Sequence, residues 1–170
     1  MRTGRVGRVS MRAKLRAFQA AHKSAAAQDL MFDLELLRHA DLDLSIKSGA
    51  LLAFNGLIIA AGINPIAASP GAPLSVDAVA DPLIVATTAL GVLVMAAAGA
   101  FSVAAILVGE DFDDTGLQDD PAAIVTRLQA TYCAAIDAQA RLLARAGILT
   151  YAGGAVIAIA FVWALLDKWM

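Results

Sequence analysis

The stretch KSGALLAFNGLIIAAG, Lys47 to Gly62, decides the class of this chain. Its residues suit lipid, yet a lysine stands at its edge and Asn55 sits in its middle. From Ser48 to Ile63 it is 16 residues long, short of the roughly 20 that a bilayer of about 30 Å requires. It reaches the required length through the turn after Asn64-Pro65, to about Ala68, or by Lys47 snorkelling back to the head groups. Two further stretches are longer: PLIVATTALGVLVMAAAGAFSVAAILVG, from Pro82 to Gly109, and AGILTYAGGAVIAIAFVWALL, from Ala146 to Leu166. Neither holds a charge or the polar stripe of a buried soluble helix. Trp163 and Trp169 flank the end of the last, as rings in an interfacial belt do.

Composition agrees. Of 170 residues, 59% are hydrophobic and 16% charged, against roughly 45–50% and 25% in soluble domains. The single cysteine, Cys133, excludes an internal disulfide framework and a cysteine-based zinc site. His22 and His39 lie off any metal-ligand spacing. The basic N-terminus has no apolar segment behind it, so no cleaved signal peptide is expected and the first span should stay in the mature protein. Met11 is an alternative start.

These features predict an all-α membrane protein with three transmembrane helices. A basic tail, either disordered or lying on anionic lipid, occupies 1–27 and a cytoplasmic helix 28–47. The spans are 48–68, 82–109 and 146–166, with an external loop at 69–81. An acidic loop (110–119) and a second cytoplasmic helix (120–145) precede the third span, and a tail (167–170) closes the chain. Nine Lys and Arg precede residue 48, the first loop has none, and residues 110–145 have three. Positive residues stay inside, so the expected N-terminus is cytoplasmic.

The cytoplasmic segments carry helical seams: Leu30, Leu34, Leu37 and Leu44 in the first, and Ile124, Leu128, Tyr132, Ala135 and Leu142 or Leu143 in the second. Asp33, Glu35, Arg38 and Asp43 fall mostly on other faces. Neither helix has a breaker before its span, so the first and third helices should extend into the cytoplasm and pack on each other. The third, over 120–166, would be ~70 Å long.

Asn55 is the first candidate site. An amide in hydrocarbon is costly unless paired. It either bonds another helix of the same chain, or bonds its own copy in an oligomer or lines a pore. Gly49 with Ala53, and Gly56 with Ala60, have the small-xxx-small spacing that allows close helix approach. Gly91 and Gly99 in the second span, and Gly153 and Gly154 in the third, are possible oligomer faces. In EDFDDTGLQDD, Glu110 to Asp120, four residues, Asp111, Asp113, Thr115 and Gly116, take calcium-loop positions one, three, five and six. Ala122 then stands where a bidentate glutamate is required, so the stretch reads as a loop capping the next helix. No catalytic constellation, cofactor site, metal site or nucleic-acid surface is visible, and Cys133 reads as a packing residue.

The block Lys47-Ser48-Gly49-Ala50-Leu51-Leu52-Ala53-Phe54-Asn55-Gly56 resembles the D-x-K-A-S-x-L-L-x-x-N-G signature of the Pycsar effector family. These are membrane domains of bacterial antiphage systems. LELLRHADLDLSIK before the block, and LQATYCAAIDAQARLLARAGILTYAG entering the last span, are similar at the level of pattern. Lys47, Asn55 and Gly56 are the matching positions. The signature's aspartate falls on Ser45, and no recognised cyclic-nucleotide-binding domain fits in residues 1–47. The resemblance implies a non-enzymatic inner-membrane effector that oligomerises in the bilayer. It would impair the membrane when a neighbouring cyclase supplies a cyclic pyrimidine nucleotide. The alternative expectation is a constitutive structural or accessory subunit of an inner-membrane complex.

Overall fold

The computed structural model describes residues 10–21, 29–68, 75–76, 81–108 and 121–169. Among these residues all regular structure is helical: α1 (Met11–Ala21), α2 (Asp29–Ala67), α3 (Pro82–Ile106) and α4 (Pro121–Trp169). Stretches Phe32–Ala67, Pro82–Ile106 and Val125–Asp167 are long and apolar enough to cross a membrane. The all-α, three-span class therefore stands. With 39 and 49 residues, α2 and α4 are each roughly twice as long as a bilayer crossing needs. Proline at the first position of α3 and of α4 starts each helix without losing a hydrogen bond.

Two boundaries move. α3 stops at Ile106, where Leu107 N–H closes on Val103 O, rather than at residue 109. α4 continues through Trp169, so the expected tail at 167–170 is largely helix. Pro65 lies inside α2, and its carbonyl accepts Val76 N–H at 3.0 Å. Most of the first loop and all of the acidic segment 110–119 lie outside the described residues.

The chain divides into two compact units, Met1–Ser45 with Val108–Ala140, and Ile46–Leu107 with Arg141–Met170. The first unit holds α1 and the leading parts of α2 and α4. Within the basic N-terminal segment, Met11–Ala21 forms a helix. Its arginines obscure a short seam, Met11 and Leu15, one turn apart and buried at 7% and 4% exposure. Those two join Leu37, Cys133 and Ile136 in one core, with Leu36, Ala40, Leu44 and Tyr132 packed against it. Ser10 caps α1, its Oγ accepting Ala13 N–H at 3.3 Å. Asp137 Oδ1 accepts Met11 N–H at 3.0 Å. A carboxylate at that end is favoured by the helix dipole.

Paired amides and carboxylates fix the register of this unit. Asp33 Oδ2 accepts Gln19 Nε2 at 2.6 Å and Gln129 Nε2 at 3.0 Å. Asp41 Oδ1 accepts Gln139 Nε2 at 2.8 Å. The pairs ascend together along α2 and α4, so the two helices run parallel here. The expected seams are thus partly re-registered. Asp33 is buried rather than on an outer face, and Cys133, Ile136 and Gln139 are the most buried of the described residues in this part of α4.

The second unit packs the remaining parts of α2 and α4 with α3. Its interior holds Ile84, Met95, Ala98, Ala105, Ala146, Ile157 and Ala160. Lipid-facing leucines cannot drive helix association, so close backbone approach must. The tightest crossing is Gly91 of α3 against Gly153 of α4. A Cβ on Gly91 would lie 3.2 Å from Gly153 O, and one on Gly153 would lie 3.0 Å from Gly91 O. Buried hydroxyls are satisfied within their own helices, Thr88 Oγ1 donating to Ile84 O and Ser102 Oγ to Ala98 O. Such back-bonds let polar side chains sit in a dry interior without a partner on another helix.

Candidate functional site

Asn55 projects into the interior of the second unit and is 1% exposed. Thr150 Oγ1 of α4 lies 2.8 Å from Asn55 Oδ1 and 2.9 Å from Ala146 O. Of the two roles left open by sequence, the structure places Asn55 in an intrachain contact. The Thr150 hydroxyl has one proton for two acceptors, while Asn55 Nδ2 is buried without a partner. Turning the amide over resolves the conflict: Nδ2 then donates to Thr150 Oγ1, which keeps donating to Ala146 O. One amide atom stays unpartnered in either orientation. That deficit costs more than the single bond returns, since interhelical bonds in membranes average only ~0.6 kcal/mol. Asn55 therefore specifies which face of α2 turns inward, at a cost in stability.

The face it turns outward is the second part of the site. Ile46, Gly49, Ala53, Gly56, Ala60 and Ile63 follow a 3-4-3-4-3 spacing, and all six are exposed. Nothing lies within 4 Å of a Cβ built on Gly49 or Gly56. The pattern is a coiled-coil seam with its centre reduced to small residues. Lys47 is exposed as well. The motif residues thus do not converge: Asn55 points in, while Lys47, Gly49 and Gly56 lie on the exposed surface.

The other candidates divide. Gly91 and Gly153 form the internal crossing already described. Gly99 is buried, with Leu52 Cδ1 3.5 Å from its would-be Cβ. These three are taken up by packing within the chain. Gly154 has open space. The reason is register: adjacent glycines on α4 point about 100° apart, so only one of the pair can face α3.

In the first unit Cys133 is a core residue. Burial pushes its thiol above its ordinary value, the Asp137 and Asp33 charges push the same way, and Arg12 offsets them in part. A neutral buried thiol is a poor nucleophile. The described residues contain no group of three or more metal-ligating side chains.

Sequence reading did not reveal Thr150, or the Asp33 carboxylate with its two glutamines. Thr150 stands one turn after Ala146 in a span judged by its apolarity. Asp33 falls off the leucine seam in the sequence, and its glutamine partners lie on other helices. Comparison of the chain with protein-family models, curated proteins and solved structures gives no match.

Proposed function

We propose that this chain is a membrane-embedded effector of a bacterial antiphage, abortive-infection system. It lies in the inner membrane with its N-terminus in the cytoplasm. Copies associate through the outward face of α2 and impair membrane integrity when a cyclic pyrimidine nucleotide signals infection. The signature resemblance around Lys47, Asn55 and Gly56 supports the antiphage assignment. The excess of Lys and Arg before residue 48 supports the orientation.

The observation that carries the reading is the exposed Ile46–Gly49–Ala53–Gly56–Ala60–Ile63 seam. A helix face that meets only lipid gains nothing from small residues. A face that meets another helix gains van der Waals contact from each of them. Asn55 keeps that seam outward by holding the opposite side of α2 against Thr150.

The test is expression in bacteria loaded with a membrane-potential dye, with and without a co-expressed cyclic-pyrimidine cyclase. The reading expects depolarisation that requires the cyclase and is reduced by Gly56→Leu. Unchanged polarisation in both strains, with one partner co-purifying stoichiometrically, would favour a constitutive subunit instead.

A further inference from the structure

A cavity of about 170 Å³ opens in the first unit between α1 and α4. It is bounded by Arg12, Leu15, Arg16 and Gln19 on α1 and by Thr126, Gln129, Ala130 and Cys133 on α4. Both sets follow the spacing i, i+3, i+4, i+7, so each is a single helix face. Leu15 and Cys133 are buried and form an apolar floor, whereas Arg12, Arg16 and Thr126 are exposed at the rim.

Arg12 and Arg16 are the charged residues of this lining, and among the described residues no carboxylate belongs to it. The Asp137 and Asp33 charges reach Cys133 at its floor, and Arg12 offsets them in part. Among the described residues neither Arg12 nor Arg16 forms an ion pair with a carboxylate. The nearest buried carboxylate, Asp33, is already held by Gln19 and Gln129, and Asp137 is engaged by the backbone of Met11. Each glutamine amide keeps a second N–H after donating to Asp33. Two guanidiniums one turn apart thus stand over a lined cavity. Guanidinium forks match the oxygens of a phosphate two at a time. Water occupies about 30 Å³ per molecule in the liquid, so the space suits a phosphate group with a small substituent.

We infer that this cavity is a binding site for a phosphate-bearing anion, gripped by Arg12 and Arg16 and seated against Leu15 and Cys133. The inference stands apart from the antiphage reading, because it needs only the first unit's geometry. The anion is either a free phosphate compound or a phospholipid head group; both present the same oxygens.

The chain's only cysteine supplies the readout. The full-length protein in phosphatidylcholine nanodiscs is titrated with inorganic phosphate, and the rate of Cys133 modification by a maleimide is followed. Saturable slowing of several-fold is expected. Arg12→Gln/Arg16→Gln should weaken the half-saturation at least tenfold with an unchanged circular dichroism spectrum, and Lys14→Gln should not. Nanodiscs containing phosphatidylglycerol separate the sources. Slowing that depends on Arg12 and Arg16 without added phosphate assigns the site to a head group, and slowing only with phosphate assigns it to a free compound. No slowing under any condition, equal slowing by chloride at matched ionic strength, or an unaltered response in the double variant overturns the proposal.

Discussion

Thr150 and Asn55 share one hydroxyl proton too few: the Thr150 hydroxyl stands 2.8 Å from the Asn55 amide and 2.9 Å from its own helix at Ala146 O. The pair is therefore asymmetric. Thr150 is satisfied without Asn55, but Asn55 has no other partner. Removing the threonine hydroxyl leaves a whole amide unpaired, which costs about 1–3 kcal/mol. Removing the amide costs little. Thr150→Val should destabilise by that amount in a denaturation series in mixed micelles, and Asn55→Leu should lie within about 1 kcal/mol of the native protein. The double variant should recover most of the Thr150→Val loss. Additive losses would mean that the two side chains do not act as a pair.

The glycines of the third span offer an internal control, since they stand side by side and differ only in direction. A Cβ on Gly153 would meet Met95 Cγ at 2.8 Å and backbone atoms Gly91 O and Met95 N at 3.0 Å. The backbone cannot move aside, so Gly153→Ala must part α3 from α4 and should cost about 1–3 kcal/mol. Gly154→Ala meets nothing and should be neutral or stabilising by up to about 1 kcal/mol, as alanine is the better helix former. The same denaturation series ranks them. Equal effects at both positions would contradict the crossing.

Asp33 ties α1 and α4 to α2 through one carboxylate oxygen. Asp33→Ala leaves two partly buried amide nitrogens without their acceptor, and bonds to charged groups contribute about 1.5–3 kcal/mol each at most. α1 is the shortest of the four helices, at 11 residues, and too short to persist alone. Hydrogen exchange should therefore show protection lost first over Met11–Ala21. Protection unchanged there would mean that α1 is held by Met11 and Leu15 alone.

Cys133 should react slowly. Burial and neighbouring carboxylates raise its thiol above the ordinary value of 9.0, so the folded protein holds the proton to higher pH than the unfolded chain does. Stability from this group is present below pH 9 and is lost as pH rises from the unfolded value toward the raised folded one. Maleimide modification at pH 7.5 should be at least tenfold slower in the native protein than in denaturant. A native rate equal to the denatured one would place the thiol outside the core.

The three spans were legible because hydropathy over about 20 residues is a strong signal. The helices running on from α2 and α4 were legible because no glycine or proline interrupts their seams before the spans. α1 was not, because two apolar residues among arginines do not make a periodic pattern. Asp33 was misplaced for a related reason: a buried carboxylate is recognised by its partners, and Gln19 and Gln129 lie far away in sequence. Small-xxx-small spacing marked the glycines as packing residues but not the surfaces they pack against. In an alanine-rich chain the spacing of Gly91 and of Gly56 looks alike, and only the fold separates an internal crossing from an open face. Asn55 was conspicuous as an anomaly, while its partner Thr150 was hidden by its ability to bond its own helix.

The central claim is that Asn55 orients α2 so that the small-residue seam meets a second copy. Single cysteines placed from Gly49 to Ile63 in a Cys133→Ala background, oxidised in native membranes, test it most directly. The account predicts disulfide-linked dimers at 49, 53, 56, 60 and 63, with minima near 52, 55 and 59. Absence of dimers at every position, or dimers without that three-and-four spacing, would contradict it.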